Sequence, residues 1–152
     1  MQLAELMATD VLSVSPGSEV SDAARRMVER DAGVAVVLDE GKLVGIISER
    51  DMLRLLSEGG DPSTPVSDRM TRHVLVGAPS MAVPEALAIM INGRFRHLPV
   101  VEDERVVGIV SMRDVMAWTS MRLRGGAAVD VDDEMDTSDL VATIHQMRTG
   151  AN

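Results

Sequence analysis

The sequence predicts an α/β chain made of two tandem copies of one βαββα unit, packed about a pseudo-twofold axis and followed by a short helical tail. The first observation is a repeat. Shifting the chain by 63 residues aligns 2–53 with 65–116 without a gap, and fourteen pairs are identical, among them Met7/Met70, Pro16/Pro79, Met27/Met90, Gly45/Gly108, Ser48/Ser111 and Asp51/Asp114. A fixed internal period over about fifty residues is the signature of duplication. The second is periodicity, which alternates between helix-like and strand-like runs in the same order in both copies. The third is size: each copy is too small to bury a comfortable core by itself, so the two should share one. This gives repeat 1 at 2–57, a linker at 58–64, repeat 2 at 65–124 and an acidic tail at 125–152.

Each copy reads the same way. Val11–Val14 is a short apolar strand closed by Ser15-Pro16-Gly17. Val20, Ala23, Ala24, Met27 and Val28 recur at i, i+3, i+4, i+7 and i+8, one face of a helix, with Ser18 or Ser21 as its cap. Val34–Leu38 and Leu43–Ile47 are strands joined by the turn Asp39-Glu40-Gly41, and a helix follows over 49–57. In the second copy Val83, Ala86, Leu87, Met90 and Ile91 form the helix stripe, with Pro84 in the first turn. His97–Val101 and Val106–Val110 pair, and the last helix runs over 112–123 up to Gly125-Gly126. Continuously apolar strands imply a sheet covered by helices.

Composition narrows the function. The chain has 152 residues, 45% of them hydrophobic, but one Trp, one Phe and no Tyr, so the core is aliphatic and twelve methionines help to fill it. Cys is absent, which excludes disulfides and thiolate metal sites and is compatible with the cytoplasm. The apolar runs are far shorter than a membrane span, and the start lacks the basic region of a signal peptide. A net charge of −9 and so few aromatic rings argue against nucleic acid. From Gly125 onward six acids face one base, −5 of the −9, so the remaining −4 leaves room for a cationic pocket in the body. In the tail, Leu140, Val141, Ile144 and Met147 suggest a short amphipathic helix capped by Thr137 or Ser138.

Two features suggest chemistry. Gly45-Ile46-Ile47-Ser48-Glu49-Arg50-Asp51 and Gly108-Ile109-Val110-Ser111-Met112-Arg113-Asp114 each sit where a strand turns into a helix. Helix N-termini present free N–H groups and favour anions. Ser and Asp three residues apart share one face of the first turn, where a carboxylate can accept both hydroxyls of a ribose diol; the same spacing is also a capping box. The second feature is Arg94-Phe95-Arg96-His97, aligned with Asp31-Ala32-Gly33-Val34 in the first copy. Two Arg and a His within four residues form either a phosphate clamp or a solvated helix end. On this alignment Asp31 repels phosphate in the first copy unless Arg50 or Arg54 reaches in. The histidines His73, His97 and His145 lack metal-ligand spacing, and there is no nucleophile elbow, Walker or Rossmann pattern, so neither a metal site nor an enzyme is expected.

The doubled Gly-aliphatic-aliphatic-Ser-x-Arg-Asp motif, with Leu98-Pro99-Val100-Val101 and Met70-Thr71, resembles the CBS domain pair, or Bateman module, over residues 2–116. The resemblance implies two clefts between facing copies that take an adenosine ligand: AMP, ADP or ATP, or a relative such as S-adenosylmethionine or NAD. It implies that Asp51 and Asp114 hold ribose with Ser48 and Ser111 beside them. Thr9 and Arg72 would offer backbone to the adenine edge, and Arg96 and His97 would meet phosphate. It further implies a non-catalytic sensor that acts on an effector protein. The sensor would be a homodimer formed through helices carrying Met52, Leu53, Leu55, Leu56, Val115, Met116 and Trp118. The alternative is an interaction or dimerisation module with vestigial clefts.

Overall fold

In the computed structural model the backbone is described for residues 1–124 and side chains for residues 1–120. The expected helix around 137–147 lies outside the described residues. The first copy comprises β1 (Ser13–Val14), α1 (Val20–Glu29), β2 (Val34–Asp39), β3 (Lys42–Ser48) and α2 (Glu49–Ser57). The second comprises α3 (Val83–Gly93), β4 (His97–Glu102), β5 (Arg105–Ser111) and α4 (Met112–Arg124). A one-turn 3-10 helix precedes each copy, at Leu3–Glu5 and Val66–Asp68. The sequence reading missed both, because three residues with one apolar anchor carry no periodicity.

β1 pairs parallel to β2, and β2 pairs antiparallel to β3. β4 and β5 form the matching hairpin, with a register shift at Val100/Val101 that repeats the one at Val37/Leu38. Both hairpin turns place two consecutive residues at positive φ, Glu40 and Gly41 in one and Asp103 and Glu104 in the other, as a two-residue turn between right-twisted strands requires. The expected first strand is shorter than read: only Ser13 and Val14 pair, and in the second copy Gly77 alone bridges Val100. A Cβ on Gly77 would stand 2.7 Å from Leu3 Cδ1, so Gly77 exchanges strand propensity for room to seat Leu3.

That contact belongs to a wider exchange. The segment leading into each copy packs on the other one. Ala8 bridges Ile109, and Thr71 bridges Ile46, with N···O distances of 2.9–3.0 Å. Leu3 N–H donates to Met81 O, and Val66 N–H donates to Ser18 O. These pairs are the same contact displaced by 63 residues, which places a pseudo-twofold axis between the copies. Val66 accordingly joins the first copy's core with Leu12, Val20, Met27, Val37, Ile47 and Leu55.

The exchange also caps the helices. Neither Ser18 nor Ser21 caps α1; their hydroxyls turn to Ser15 and Glu19. The free N–H groups of Val20 and Ser21 donate instead to Thr64 O and Pro62 O, and that of Val83 in α3 donates to Met1 O. Backbone carbonyls brought in from the other side of the axis replace the side-chain cap. Pro84 sits in the first turn of α3, as its lack of an N–H favours.

The helix stripes are buried at Val20, Ala23 and Met27 and at Val83, Ala86, Leu87 and Met90. Val28, read as part of the first stripe, is 82% exposed, one position too far round the helix. Leu55 and Val115, expected on a dimer surface, belong to the core, whereas Leu53, Leu56 and Met116 are exposed.

Gly45 and Gly108 make the close approach possible. A Cβ on Gly45 would lie 2.5 Å from Met70 Sδ and 2.9 Å from the Thr71 carbonyl oxygen; one on Gly108 would lie 2.5 Å from Met7 Sδ. The methionines can move but the Thr71 backbone, bonded to Ile46, cannot move without breaking its bridge. Gly45→Ala is therefore expected to destabilise the fold by about 1–3 kcal/mol, and Gly108→Ala by no more than that. Urea denaturation checks this, and an unchanged midpoint for Gly45→Ala would show that the copies are not seated this closely.

Candidate functional site

The two strand-to-helix junctions, β3–α2 and β5–α4, lie on opposite sides of the axis, and each opens into a cleft. Glu49 N–H donates to Gly33 O and Met112 N–H donates to Arg96 O, so the first turn of each helix is tied to the residues leading into the copy's own hairpin. Within the first junction Ser48 N–H and Oγ both donate to Asp51 Oδ2 at 2.8 Å. In the second, Ser111 N–H and Oγ donate to Asp114 Oδ2 at 2.9 and 2.5 Å, and Asp114 N–H donates back to Ser111 Oγ at 3.2 Å. The capping box is real. It uses one carboxylate oxygen in each case. Among the described residues Oδ1 of Asp51 has only the Arg54 guanidinium, 3.7 Å away, and Oδ1 of Asp114 accepts no hydrogen bond. Both aspartates line a cleft.

The first cleft has a volume of ≈ 390 Å³. The first copy supplies Ile46, Ser48, Glu49, Arg50, Asp51 and Arg54. The second supplies Thr71, His73, Val74 and Leu75 from its leading segment and Gly93–His97 from the end of α3. The second cleft, ≈ 410 Å³, is its counterpart across the axis, with Ile109, Ser111, Arg113 and Asp114 facing Ala8, Asp10–Leu12 and Arg30–Val34. Both volumes are in the range of small-molecule sites, and each cleft combines an apolar wall with a few polar groups. Gly33, Val34, Glu49, Arg96 and His97 line both clefts and form their common wall.

This arrangement re-pairs the residues singled out in sequence. Asp51 shares a cleft with Arg94, Arg96 and His97, which lie in the other copy. Asp31, read as a defect beside the first copy's own motif, stands instead in the cleft of Asp114. Arg50 and Arg54 therefore do not offset Asp31; they add to the cations around Asp51. Thr9 and Arg72 line neither cleft, although their neighbours Ala8, Asp10, Thr71 and His73 do. The Arg72 guanidinium turns away to donate to Ser67 O at 2.8 Å. His73, Val74, Leu75 and Glu49 are lining residues that sequence reasoning did not single out. His73, Val74 and Leu75 meet the cleft of Asp51 from the other copy, so no signal within one copy marks them.

The clefts differ in charge. At positions belonging to one cleft alone, the first has Arg50, Arg54 and Arg94 against Asp51, and the second has Arg30 and Arg113 against Asp10, Asp31 and Asp114. Arg30 is moreover ion-paired with Asp10. Among the described residues no cluster of His, Asp and Glu could hold a metal ion, and no helix is long and apolar enough to cross a membrane.

Comparison with known proteins agrees with the duplicated architecture. The sequence matches the CBS domain twice, over residues 3–58 and 66–120. The chain belongs to the CBS domain family. It is 35% identical to a CBS domain-containing protein of Bacillus subtilis over 82% of this chain and 90% of that one. The crystal structure of a CBS-domain protein from Agrobacterium tumefaciens superposes with a TM-score of 0.74 at 32% identity, covering 78% of this chain and 99% of that one. CBSX2, solved in complex with AMP, superposes with a TM-score of 0.69 at 27% identity over 81% of this chain and 98% of its own. The pair of βαββα repeats is thus a CBS domain pair, a regulatory module.

His97 stands on the wall common to both clefts. Burial lowers its pKa from the ordinary 6.5, helped by the cations Arg96 and Arg113 and opposed by Asp114 and Glu49. A folded-state value below the unfolded one means that the unfolded chain binds more protons as pH falls through this window. The contribution to stability is complete above about pH 6.5 and is lost as pH falls toward the folded value. The fall in melting temperature from pH 7 to pH 5 should therefore be smaller in His97→Gln than in the parent. Equal falls in the two would mean that His97 is not held neutral by its surroundings.

Proposed function

We propose that this CBS domain pair is a non-catalytic sensor that binds an adenine nucleotide in its clefts and transmits occupancy to a partner protein. The observation that carries the reading is the cleft of Asp51. There a carboxylate with a spare oxygen stands at a helix N-terminus, opposite an Arg-rich helix end contributed by the other copy. Ribose hydroxyls suit the carboxylate, phosphate suits Arg94 and Arg96, and the apolar surface of Ile46, Val74, Leu75 and Phe95 suits a purine ring. The AMP complex of CBSX2 supports the ligand class. ADP, ATP, NAD or S-adenosylmethionine share the adenosine group.

On this reading Ser48 and Ser111 orient the aspartates, and Thr9 and Arg72 contribute through the backbone next to the adenine edge. The module works as a homodimer joined through α2 and α4, where Leu53 is 68% and Leu56 is 66% exposed and Met116 is also open to solvent. A cytoplasmic location suits such a sensor. Binding must differ between two conformations for the signal to reach the effector.

Thermal denaturation with AMP, ADP, ATP, NAD and S-adenosylmethionine, with and without Mg²⁺, tests the reading. A ligand at about 1,000 times its Kd stabilises by about 4 kcal/mol, a rise of several degrees. Arg96→Ala and Asp51→Asn should each weaken nucleotide binding by about tenfold or more, the loss expected for a hydrogen bond to a charged group. Asn keeps the acceptor that caps α2, so the parent fold is expected to persist. A flat panel on the parent protein would favour a dimerisation or interaction module with vestigial clefts.

A further inference from the structure

The clefts are related by the axis but opposite in charge; three aligned positions carry the difference, and a fourth, Arg30 against Gly93, opposes it. Arg94 in the first cleft corresponds to Asp31 in the second, His73 corresponds to Asp10, and Arg54 corresponds to Ala117, which does not line the second cleft. The backbone is conserved where the side chains are not: Arg94 has φ 56° and Asp31 has φ 50°, both left-handed, at the ends of α3 and α1. Each side chain therefore leaves the chain from the same unusual conformation and lines its own cleft. Asp31 is exposed, and no hydrogen bond or ion pair takes up its carboxylate among the described residues. Arg30, the neighbouring cation, is held by Asp10. A phosphate in the second cleft would meet the carboxylates of Asp10 and Asp31 where a phosphate in the first cleft meets His73 and Arg94.

The common wall sharpens the contrast. Arg96 lines both clefts and its aligned residue is Gly33, so the pair of clefts shares a single guanidinium at this position. One guanidinium cannot give bidentate contact to phosphates on both sides at once. An anion that engages Arg96 from the first cleft therefore leaves the second with Arg113 and the Asp10-paired Arg30.

From this juxtaposition we propose that the two clefts take different ligands. The first takes an adenine nucleotide with negatively charged phosphate. The second takes an uncharged or positively charged adenosine compound, held by the Ser111–Asp114 pair and tolerated by Asp10 and Asp31. The module is then a two-input sensor that reads an anionic and a non-anionic adenosine together. The inference rests on the proposed reading of the clefts as adenosine sites, and it goes further in assigning a ligand class to each.

Isothermal titration of the full chain separates the possibilities. ADP is the anionic probe, adenosine the neutral one and S-adenosylmethionine the cationic one. ADP should bind the parent protein at one site per chain. Adenosine or S-adenosylmethionine should then still bind the ADP-saturated protein at one further site, and Asp114→Asn should weaken that second event by about tenfold or more. Asp31→Arg reproduces in the second cleft the residue that the first has at the same backbone conformation. It should raise ADP stoichiometry from one toward two and weaken S-adenosylmethionine. ADP filling two equivalent sites in the parent, or adenosine and S-adenosylmethionine both excluded by saturating ADP, would overturn the division of ligands while leaving the clefts as adenosine sites. No heat from any of the three probes with the parent would overturn the adenosine reading itself, and the division of ligands with it.

Discussion

The structure depends on how closely the two copies can approach, and two missing side chains decide that. Gly45 and Gly108 let Met70 and Met7 lie flat against β3 and β5, and this lets Thr71 and Ala8 reach the backbone of the opposite hairpin. Each copy alone offers a half-sheet with an open edge and a helix start with unsatisfied N–H groups. The leading segment of the other copy closes both deficits, with Leu3 and Val66 as apolar anchors and Met1, Pro62 and Thr64 as carbonyl caps. Folding of either copy is thereby coupled to docking of the other, and the clefts form from residues on both sides of the axis because the segments cross it.

The same economy governs the Ser-x-x-Asp motif. Cap and ligand site look like rival explanations of that spacing, yet the two oxygens of one carboxylate can serve them separately. Oδ2 of Asp51 and of Asp114 takes the Ser N–H and Oγ, which leaves Oδ1 outside the cap. The cap fixes the rotamer of the carboxylate, and a fixed rotamer costs a ligand less ordering on binding. On the proposed reading the structural role is what makes the binding role precise.

Much of this architecture was legible in the chain. The 63-residue repeat identified the duplicated unit, and strand and helix periodicities located α1–α4 and both hairpins to within a residue or two. Three things were not legible, each for a physical reason. Val11–Val14 has strand composition but little strand, because its pairing with the edge of β2 is confined to Val36 and Val37. Ser18 and Ser21 have capping chemistry, but the competing carbonyls arrive from more than forty residues away. The partner of Asp51 was read within its own copy because alignment of a repeat is blind to exchange. A contact within copies and the same contact across copies give one identical pattern of aligned residues, and only the path of 1–8 and 64–71 through space chooses between them.

Where the copies diverge then decides what each difference can do. Substitutions confined to one cleft, such as Arg94 against Asp31, are each felt by that cleft and on the proposed reading set what it accepts. Substitutions on the common wall behave otherwise. Arg96 against Gly33 and His97 against Val34 break the symmetry at residues that border both clefts. A charge placed there enters the energetics of both occupants, with opposite sign when the occupants differ in charge. Linkage then requires that whatever one occupant does to the other is returned in equal measure. On the proposed reading duplication supplies two sites, divergence at positions private to one cleft allows them to differ, and divergence at the wall allows each to sense the other. An identical pair of repeats would have the first property without the other two.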